Sequence, residues 1–350
     1  MTQNVVDYLP VESVPVSEFV SLLGLPAIAA ETVQRQQPDQ CLVLWHTDGT
    51  IRAPLVRARC ALWWSNTPTY QHQQVGYIGQ FAATDEQAAV AMLHSASAAL
   101  CHAGCTLAVG PIDGNTWNTY RAVIERGDEP PFLLEPDTPD FVARAFDMAG
   151  FDLLATYMSD MVDDLRPFAE AQRGTRIRER LAERGVTLRP ATDAELADPQ
   201  QFVRLLQAIY RVSVEAFAHN LLYQPQSEAA FIEQYAAVKQ AINPQLVWLA
   251  EHGEEVIGYC VTFPDWLPAR RGLPVDTVII KTVAVLPAWD GQGIGALLGE
   301  QCQQTAARLG FRRAIHALRH EDASACNLSR HYSTRTIRRY GLFACRLVLV

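Results

Sequence analysis

Three glycines beside a helix start form the stretch whose chemistry is easiest to read. Gly291, Gly293 and Gly295 stand between a β-branched run at 277–285 and an apolar helical pattern that begins near residue 294. Glycines let backbone N–H groups converge on one point, and the N-terminus of a helix adds a partial positive charge. The stretch therefore predicts an anion site that suits a phosphate-bearing ligand.

Two common nucleotide-binding patterns fit this stretch less well. Residues 291–296 read G-x-G-x-x-A, a loose dinucleotide fingerprint, which expects an acidic residue about 20 positions later, where this chain has Ile315 and His316. A P-loop requires a lysine directly after its glycines, and Ala296 and Leu297 follow here. A phosphate loop of another kind is favoured, and a purely structural turn is the alternative.

Length and composition indicate a two-domain globular protein. The chain has 350 residues, of which 49% are hydrophobic and 19% charged, and its net charge of −9 argues against nucleic-acid binding. It shows no targeting or membrane-spanning pattern, and its eight cysteines form no C-x-x-C pair. We expect a cytoplasmic protein with free thiols and no membrane partner. No metal is expected either, because His316 and His320 have helical spacing in a strand-like run.

The first half predicts a complete α/β unit. Short apolar runs, a helix capped near Asp85 and a closing strand at 151–162 give the order β-β-β-α-β-α-β, with a short helix that carries Trp117, Tyr120 and Arg121. We place the domain boundary near Asp163.

The second half repeats this plan. A charged helix within 163–184 suits a solvated link, and a hairpin at 246–263 precedes the glycine stretch. A helix at 324–331 and a terminal strand at 341–350 are predicted to end the chain.

The second half resembles the GNAT superfamily of acyl-CoA-dependent N-acyltransferases. Its hairpin is similar to the second and third strands of that fold, residues 282–287 to the end of the fourth strand, and residues 290–295 to the pyrophosphate loop, Arg/Gln-x-x-Gly-x-Gly/Ala. Asn327 falls where the family often has an asparagine that contacts pantetheine. The first half resembles the same fold more faintly, without the glycine loop.

The resemblance implies an α/β (α+β) protein of two tandem GNAT-like domains. Each would have a mixed, mostly antiparallel sheet flanked by helices. Residues 1–163 would be a degenerate domain, and residues 164–350 an N-acyltransferase domain that binds acyl-CoA. Because Asp85 and Glu86 begin the corresponding helix of the first half and would repel a phosphate, we expect one cofactor site per chain.

The resemblance also implies how the cofactor is held. In such folds the fourth and fifth strands splay and the acyl-pantetheine arm lies in the gap, so the backbone at Val283 and Val285 would bond the acyl carbonyl and the pantetheine amides. Amide groups of the loop would hold the pyrophosphate. The expected cofactor-binding residues are Val283, Ala284, Val285, Gly291, Gln292, Gly293, Ile294, Gly295, Ala296, Asn327 and Ser329.

Three positions depart from the family pattern. Asp290 stands where Arg or Gln is usual, and a carboxylate is unfavourable near a pyrophosphate unless it caps the turn. Thr334 replaces the usual general-acid tyrosine, with Tyr332 two positions early, and Lys281 replaces an acid that many relatives carry. Deprotonation must therefore be handled elsewhere.

An attacking amine needs a base. A lysine-like amine is neutral only about once in 10³ molecules at pH 7, a penalty of roughly 4 to 5 kcal/mol. Glu251, His252 and Asp265 lie at the ends of the hairpin strands, and we favour Asp265 as the catalytic base. Asn220 and Tyr223 are predicted to bind the acceptor, and the first half to complete the acceptor cleft. Arg330 and Arg335 are candidates for contacts with the cofactor phosphates.

These patterns predict an N-acyltransferase. It would move an acetyl or other short acyl group from acetyl-CoA or a related acyl-CoA to a small-molecule amine or a peptide amine, by direct attack on the thioester. One alternative is aminoacyl transfer from a charged tRNA, because those enzymes also pair two such folds. The other is a non-catalytic acyl-CoA-binding module, which Asp290 and Thr334 would suit.

Overall fold

The computed structural model describes residues 11–46, 55–169, 174–321 and 334–348. The strands are β1 (Glu12–Val14), β2 (Gln40–His46), β3 (Leu55–Trp63), β4 (Thr69–Tyr70), β5 (Gln73–Ala83), β6 (Leu107–Gly110), β7 (Ala122–Glu125), β8 (Asp152–Val162), β9 (Val186–Pro190), β10 (Val247–His252), β11 (Glu255–Pro264), β12 (Thr277–Val285), β13 (Arg313–His320) and β14 (Thr334–Arg346). The α-helices are α1 (Val16–Phe19), α2 (Ala30–Gln36), α3 (Glu86–His102), α4 (Phe141–Met148), α5 (Thr175–Glu183), α6 (Asp193–Ala197), α7 (Pro199–Ala216), α8 (Glu228–Ala236) and α9 (Ile294–Arg308).

Almost all the strands join one continuous sheet. Its order is β1-β2-β3-β5-β6-β14-β8-β13-β12-β11-β10-β9, with β4 paired to β5 and β7 to β14. Most neighbours are antiparallel, whereas β5 with β6 and β12 with β13 are parallel. The two parallel pairs occupy equivalent places in the two halves, so each half repeats one plan.

The last strands of the two halves are exchanged. β8 comes from the first half of the sequence, yet its residue Val162 pairs with Ala314 on one side and with Thr334 on the other. β14 in turn pairs with β6, where Phe343 lies opposite Gly110. The sheet is therefore continuous at the expected boundary near residue 163, and that boundary stays a prediction.

A buried ion pair holds β14 in place. Arg338 Nε lies 2.7 Å from Glu135 Oε1, and both side chains are at most 1% exposed. The same guanidinium donates to the backbone carbonyls of Glu129 and Arg126, and the Tyr340 hydroxyl donates to the Glu135 carboxylate. Since these partners belong to a first-half loop, the ion pair ties the exchanged strand to the first half.

Helices cover one face of the sheet in each half. In the first half, Asp85 caps α3 by accepting from the Ala88 amide at 2.9 Å, and Met92 and Leu93 face the sheet. In the second half, α7 and α9 cover the sheet, and Leu298 and Cys302 of α9 are fully buried. These helices close the two main apolar cores, and no described helix combines the length and apolarity needed to cross a bilayer.

A third apolar cluster lies on the opposite face of the first half's part of the sheet. It joins Tyr77 of β5, Tyr157 of β8 and Tyr340 of β14 to Leu222, which follows α7. The segment after α7 is therefore packed against the first half.

Two local predictions from the sequence need correction. Trp117, Tyr120 and Arg121 lie in a turn-rich loop and not in a short helix, because the Asn115 side chain accepts from the Trp117 and Asn118 amides. The terminal strand begins at Thr334, earlier than predicted. The helix predicted at 324–331 lies outside the described residues.

Breaking the buried ion pair should destabilise the whole chain. We expect Arg338→Met to lower the free energy of unfolding by about 3 to 5 kcal/mol, because it leaves the Glu135 carboxylate buried and unpaired. Arg335→Met, on the same strand, removes exposed ion pairs and should cost at most about 1 kcal/mol. Urea unfolding followed by tryptophan fluorescence and far-UV circular dichroism measures both, and equal losses would contradict this role of Arg338.

Candidate functional site

The two parallel strands of the second half separate midway. Their ladder covers only Thr277–Ile280 against Arg313–His316. Beyond that point β12 continues beside β11, whereas β13 follows β8 with a register slip after His316 and a left-handed backbone at Leu318, where φ is +58°. A gap therefore opens between β12 and β13.

Backbone groups of β12 face this gap. The Leu286 amide donates to the Ile257 carbonyl of β11 at 2.8 Å. Because alternate residues of an antiparallel strand bond the same neighbour, Val283 and Val285 direct their own N–H and C=O groups away from β11. These groups lie beyond the last residue that pairs with β13, so they face the gap.

The glycine turn closes one end of the gap. Gly291 and Gly293 adopt left-handed backbones with φ of +70° and +88°, and Gly293 caps α9. The Leu297 amide bonds the Gly293 carbonyl at 3.1 Å, so the three preceding N–H groups, those of residues 294–296, have no partner inside the helix. A Cβ placed on Gly295 would lie 3.5 Å from Val283 Cγ1, which puts the helix start against the strand at the gap.

The Asp290 carboxylate turns back on its own loop. Its Oδ1 accepts from the Gly291 amide at 2.8 Å, and the residue is exposed. The carboxylate is directed to the backbone of the turn itself, and it does not cap α9, whose N-cap residue is Gly293.

Two arginines at the end of α5 supply positive charge at the same turn, Arg180 within the helix and Arg184 directly after its last residue. Arg180 Nη2 donates to the Gln292 carbonyl at 3.1 Å, and Arg184 donates to the Gln292 side chain and lies over the Trp289 ring. Ile177 of the same helix lies 2.9 Å from the position of a Cβ on Gly293. The sequence indicated a solvated helix here. The spacing of Arg180 and Arg184 places both side chains on one face of that helix, and it could have indicated that this face contacts another element.

Asn220 and Tyr223, the residues predicted to bind the acceptor, lie together, and their binding role stays a prediction. Both line an open cavity of about 420 Å³, whose other lining residues are Pro68, Thr69, Tyr70, His219, Leu221 and Leu222. From the first half, Trp117 Nε1 donates to the Gln224 carbonyl at 2.9 Å, and the Trp117 ring lies 5.7 Å from that of Tyr223. The first half therefore provides the opposite wall of this cavity.

The Tyr223 hydroxyl is a buried polar group of a residue that lines this cavity. Burial raises the pKa of Tyr223 to about 12, with a further contribution from Tyr210. In the described part of the chain this hydroxyl has no hydrogen-bond partner. It can therefore act as a protonated donor beside the cavity.

The predicted base candidates are engaged in other contacts. Asp265 Oδ1 accepts from the amides of Leu133 and Leu267 at 3.0 and 3.2 Å, so this carboxylate anchors two loops. Glu251 pairs with Arg189 at 2.8 Å. The catalytic role of Asp265 stays a prediction.

The remaining predicted contacts are not part of the described gap. Arg335 pairs with Asp163 and Glu129 and is not placed against the glycine turn. Asn327, Ser329 and Arg330 lie outside the described residues.

Two titratable groups lie where the strands separate. Burial lowers the pKa of His316 to about 4; Asp160 opposes this shift and Arg319 adds to it. Burial also lowers the pKa of Lys281 to about 8, and the charge of Arg121 lowers it further. Lys281 is the residue at which the β11–β12 register slips.

A family comparison agrees with this geometry. Residues 206–331 match the model described as Acetyltransferase (GNAT) family. This range includes the gap, the glycine turn and the cavity residues of the second half. The predicted resemblance of the second half to the GNAT superfamily is confirmed over these residues.

Solved GNAT structures share the fold across nearly the whole chain. A tandem GNAT protein from the clavulanic acid biosynthesis pathway aligns with a TM-score of 0.51 and 10% identity over 98% of this chain and all of its own length. A glucosamine N-acetyltransferase region of a fungal multi-domain GH3 β-N-acetylglucosaminidase aligns with a TM-score of 0.55 and 11% identity, over 97% of this chain and 38% of that one. The predicted tandem GNAT fold is confirmed.

One curated relative gives a sequence match. The chain is 27% identical over 195 residues to a protein named bacterial ceramide synthase from Caulobacter vibrioides, which covers 54% of this chain. The aligned part is 48% of that relative, so the match spans about half its length.

His316 should make the stability of this protein fall in acid. Its pKa is lower in the folded chain than the ordinary value of 6.5, so the unfolded chain binds more protons and stability is lost as the pH falls from about 6.5 through 4. The loss attributable to His316 should approach about 3 kcal/mol. Chemical unfolding at several pH values should show a weaker dependence of the free energy of unfolding on pH for His316→Gln. The control His94→Gln, at an exposed position of α3, should follow the parent protein. The same pH dependence in all three proteins would refute this role of His316.

Proposed function

We propose that this chain is an acyl-CoA-dependent N-acyltransferase that moves an acetyl or other short acyl group to the amine of a small molecule or peptide. The observation that carries the proposal is the gap between β12 and β13, which has backbone groups of Val283 and Val285 facing it and the glycine turn at its end. The N–H and C=O groups that face the gap are those that a neighbouring strand would bond, and an extended pantetheine arm could bond them instead.

The pyrophosphate would lie on the glycine turn. The free N–H groups at the start of α9 and the two arginines of α5 together give a site for an anion. Asp290 stands where the family pattern has Arg or Gln, so the α5 arginines would supply the positive charge instead.

The reaction would be a direct transfer in the gap. The amine attacks the thioester carbon, a C–N bond forms, the C–S bond breaks, and the amine proton leaves as the thiolate becomes a thiol. A backbone N–H of β12 that faces the gap would stabilise the charge on the carbonyl oxygen. The acceptor would enter from the cavity that holds Asn220 and Tyr223.

A long-chain acyl group is the second candidate. The relative named bacterial ceramide synthase is the observation that favours it. Calorimetric titration with acetyl-CoA and palmitoyl-CoA distinguishes the two, because tighter binding of palmitoyl-CoA would favour the long chain.

Replacing Gly293 should abolish cofactor binding. In Gly293→Val the new side chain meets Ile177 and strains a backbone with φ of +88°, so the turn amides move apart. We expect at least a hundredfold loss of acetyl-CoA affinity by calorimetry. Gly310→Val is the matched control, because Gly310 has φ of +93°, follows the other end of α9 and has open space around it.

The control separates loss of the site from loss of the fold. Both variants should lose similar stability, and only Gly293→Val should lose the ligand. Unchanged affinity in Gly293→Val would remove the loop from the site.

The α5 arginines should contribute to cofactor affinity. Charged hydrogen bonds to phosphate contribute about 1.5 to 3 kcal/mol, so Arg180→Ala and Arg184→Ala should each weaken acetyl-CoA binding about tenfold or more. The loss should shrink at high salt. Arg178→Ala, at an exposed position of the same helix, is the control; an equal effect of all three substitutions would indicate only a change in overall charge.

A further inference from the structure

The strand β13 has a bulge where it leaves β12. Between its pairs with Asp160 and Met158 of β8, β13 has two residues where β8 has only Ser159. The second of the two is Leu318, whose backbone is left-handed with φ of +58°. A residue with a Cβ seldom adopts this conformation, so the surrounding structure must hold the bulge in place.

Two side chains from the first half bond the bulged residue. The Leu318 amide donates to Ser159 Oγ at 3.3 Å, and the Leu318 carbonyl accepts from Arg121 Nη1 at the same distance. Both backbone groups of Leu318 therefore have side-chain partners, and neither needs a neighbouring strand to satisfy it.

Ser159 is fixed in turn by the network around the buried ion pair. It is fully buried, and its Oγ lies 3.1 Å from the Tyr340 hydroxyl. That hydroxyl donates to the Glu135 carboxylate, the partner of Arg338. Because a hydroxyl has one hydrogen to give, Ser159 must donate to Tyr340, which leaves its lone pairs to accept from the Leu318 amide.

Arg121 is held by two aromatic side chains. It is 5% exposed, and its guanidinium carbon lies 3.7 Å from the centre of the Tyr120 ring and 3.6 Å from that of Tyr157. Its Nη2 donates to the Tyr120 hydroxyl, and Nη1 bonds the Leu318 carbonyl. A guanidinium packed in this way has little freedom, so it fixes the Leu318 carbonyl relative to the first half.

The parallel strands of the first half offer a comparison within the same chain. Their ladder on β5 covers Val75–Tyr77, and beyond it the chain after β6 stays against β5. The Ile112 amide donates to the Ile78 carbonyl at 2.9 Å, and Asp113 Oδ1 accepts from the Gln80 amide at 2.6 Å. In the first half the chain itself therefore occupies the space that stays open beside β12.

One loop connects these two places. It covers residues 111–121, and it is closed at its base because the Arg121 amide donates to the Pro111 carbonyl at 2.9 Å and Ile112 pairs with Tyr120. The beginning of the loop fills the space beside β5, and its last residue bonds β13.

We propose that Ser159 and Arg121 are positioning residues that keep β13 away from β12 and so hold the gap open for the pantetheine arm. Without them Leu318 would return to an extended backbone, and β13 would continue its ladder along β12 and bond the groups of Val283 and Val285. Both side chains act through β13. This inference rests on the proposed function, because the gap serves an acyl-CoA only if one binds there.

Hydrogen exchange of the ligand-free protein tests the separation of the strands. The amides of Val283 and Val285 face the gap in the parent and should exchange rapidly. In Arg121→Met and in Ser159→Ala the longer ladder should slow their exchange about tenfold or more, measured by mass spectrometry with fragmentation to single residues. A general loss of stability speeds exchange, so slower exchange is a response that mere structural damage does not produce.

Affinity tests the same role with ligand. Calorimetry compares acetyl-CoA with adenosine 3′-phosphate 5′-diphosphate, the part of coenzyme A that lacks the pantetheine arm. Arg121→Met should weaken acetyl-CoA binding about tenfold or more, and Ser159→Ala about three- to tenfold, the range expected for one hydrogen bond. Neither variant should change the affinity of the fragment, because the glycine turn is untouched.

Arg59→Met and Ser213→Ala are the matched controls. Arg59 is a buried arginine of the first half that donates to the Pro26 carbonyl, and Ser213 is a fully buried serine that lies 2.7 Å from the Tyr259 hydroxyl. Neither contacts β13 through these bonds. Both controls should lose stability comparable to that of the test variants, with exchange at the gap and acetyl-CoA affinity unchanged.

The possible failures can be told apart. Exchange that is not slowed in the test variants, or slower exchange with unchanged acetyl-CoA affinity, would overturn the positioning role and leave the acyltransferase proposal standing. If the parent binds no coenzyme A thioester, the proposed function is wrong, and exchange alone still decides whether the two side chains hold the strands apart. Where Arg121→Met does not fold, Ser159→Ala, which removes a single oxygen atom, decides the outcome.

Discussion

The crossing of β8 and β14 between the halves is the constraint on which the rest of the molecule depends. β13, one wall of the gap, pairs with β12 over a few residues only and with β8 along the rest of its length. The position of that wall is therefore set by a first-half strand, which the Arg338–Glu135 ion pair helps to hold through β14. The first half lacks a glycine loop, yet one of its strands pairs with the wall of the gap.

Charge at the glycine turn is balanced by a separate element. Asp290 uses its carboxylate on the Gly291 amide, and the cations come from α5, which precedes the first strand of the second half. The cations at this turn are therefore contributed by a segment outside the strand and loop that the family pattern describes.

The amino-acid sequence was sufficient to predict the elements that depend on local patterns of residues. Periodicity and turn residues located the β10–β11 hairpin, α9 and the glycine turn. Alternation shows that a strand is buried but not which neighbour it joins, so the exchange of β8 and β14 could not be predicted.

Arginines were the hardest residues to place from the sequence. Arg338 is buried in a run that reads as a basic surface, and Arg180 contacts the loop from a helix that reads as solvated. A long charged side chain can take either environment, and only a partner distant in sequence decides between them. Arg121 was predicted in a helix. In the structure the Asn115 side chain bonds the backbone of the following residues, and this turn competes with helix formation.

The exchanged strands also impose an order on synthesis. While the ribosome makes the second half, β8 is already exposed to the cell with both of its sheet edges open, because its neighbours β13 and β14 have not yet emerged. Unpaired edges of this kind attract other strands. The central strand β8 must therefore be kept from pairing elsewhere until β14 is translated. The time for which the nascent chain can aggregate, and its need for chaperones, depend on how late β14 is made.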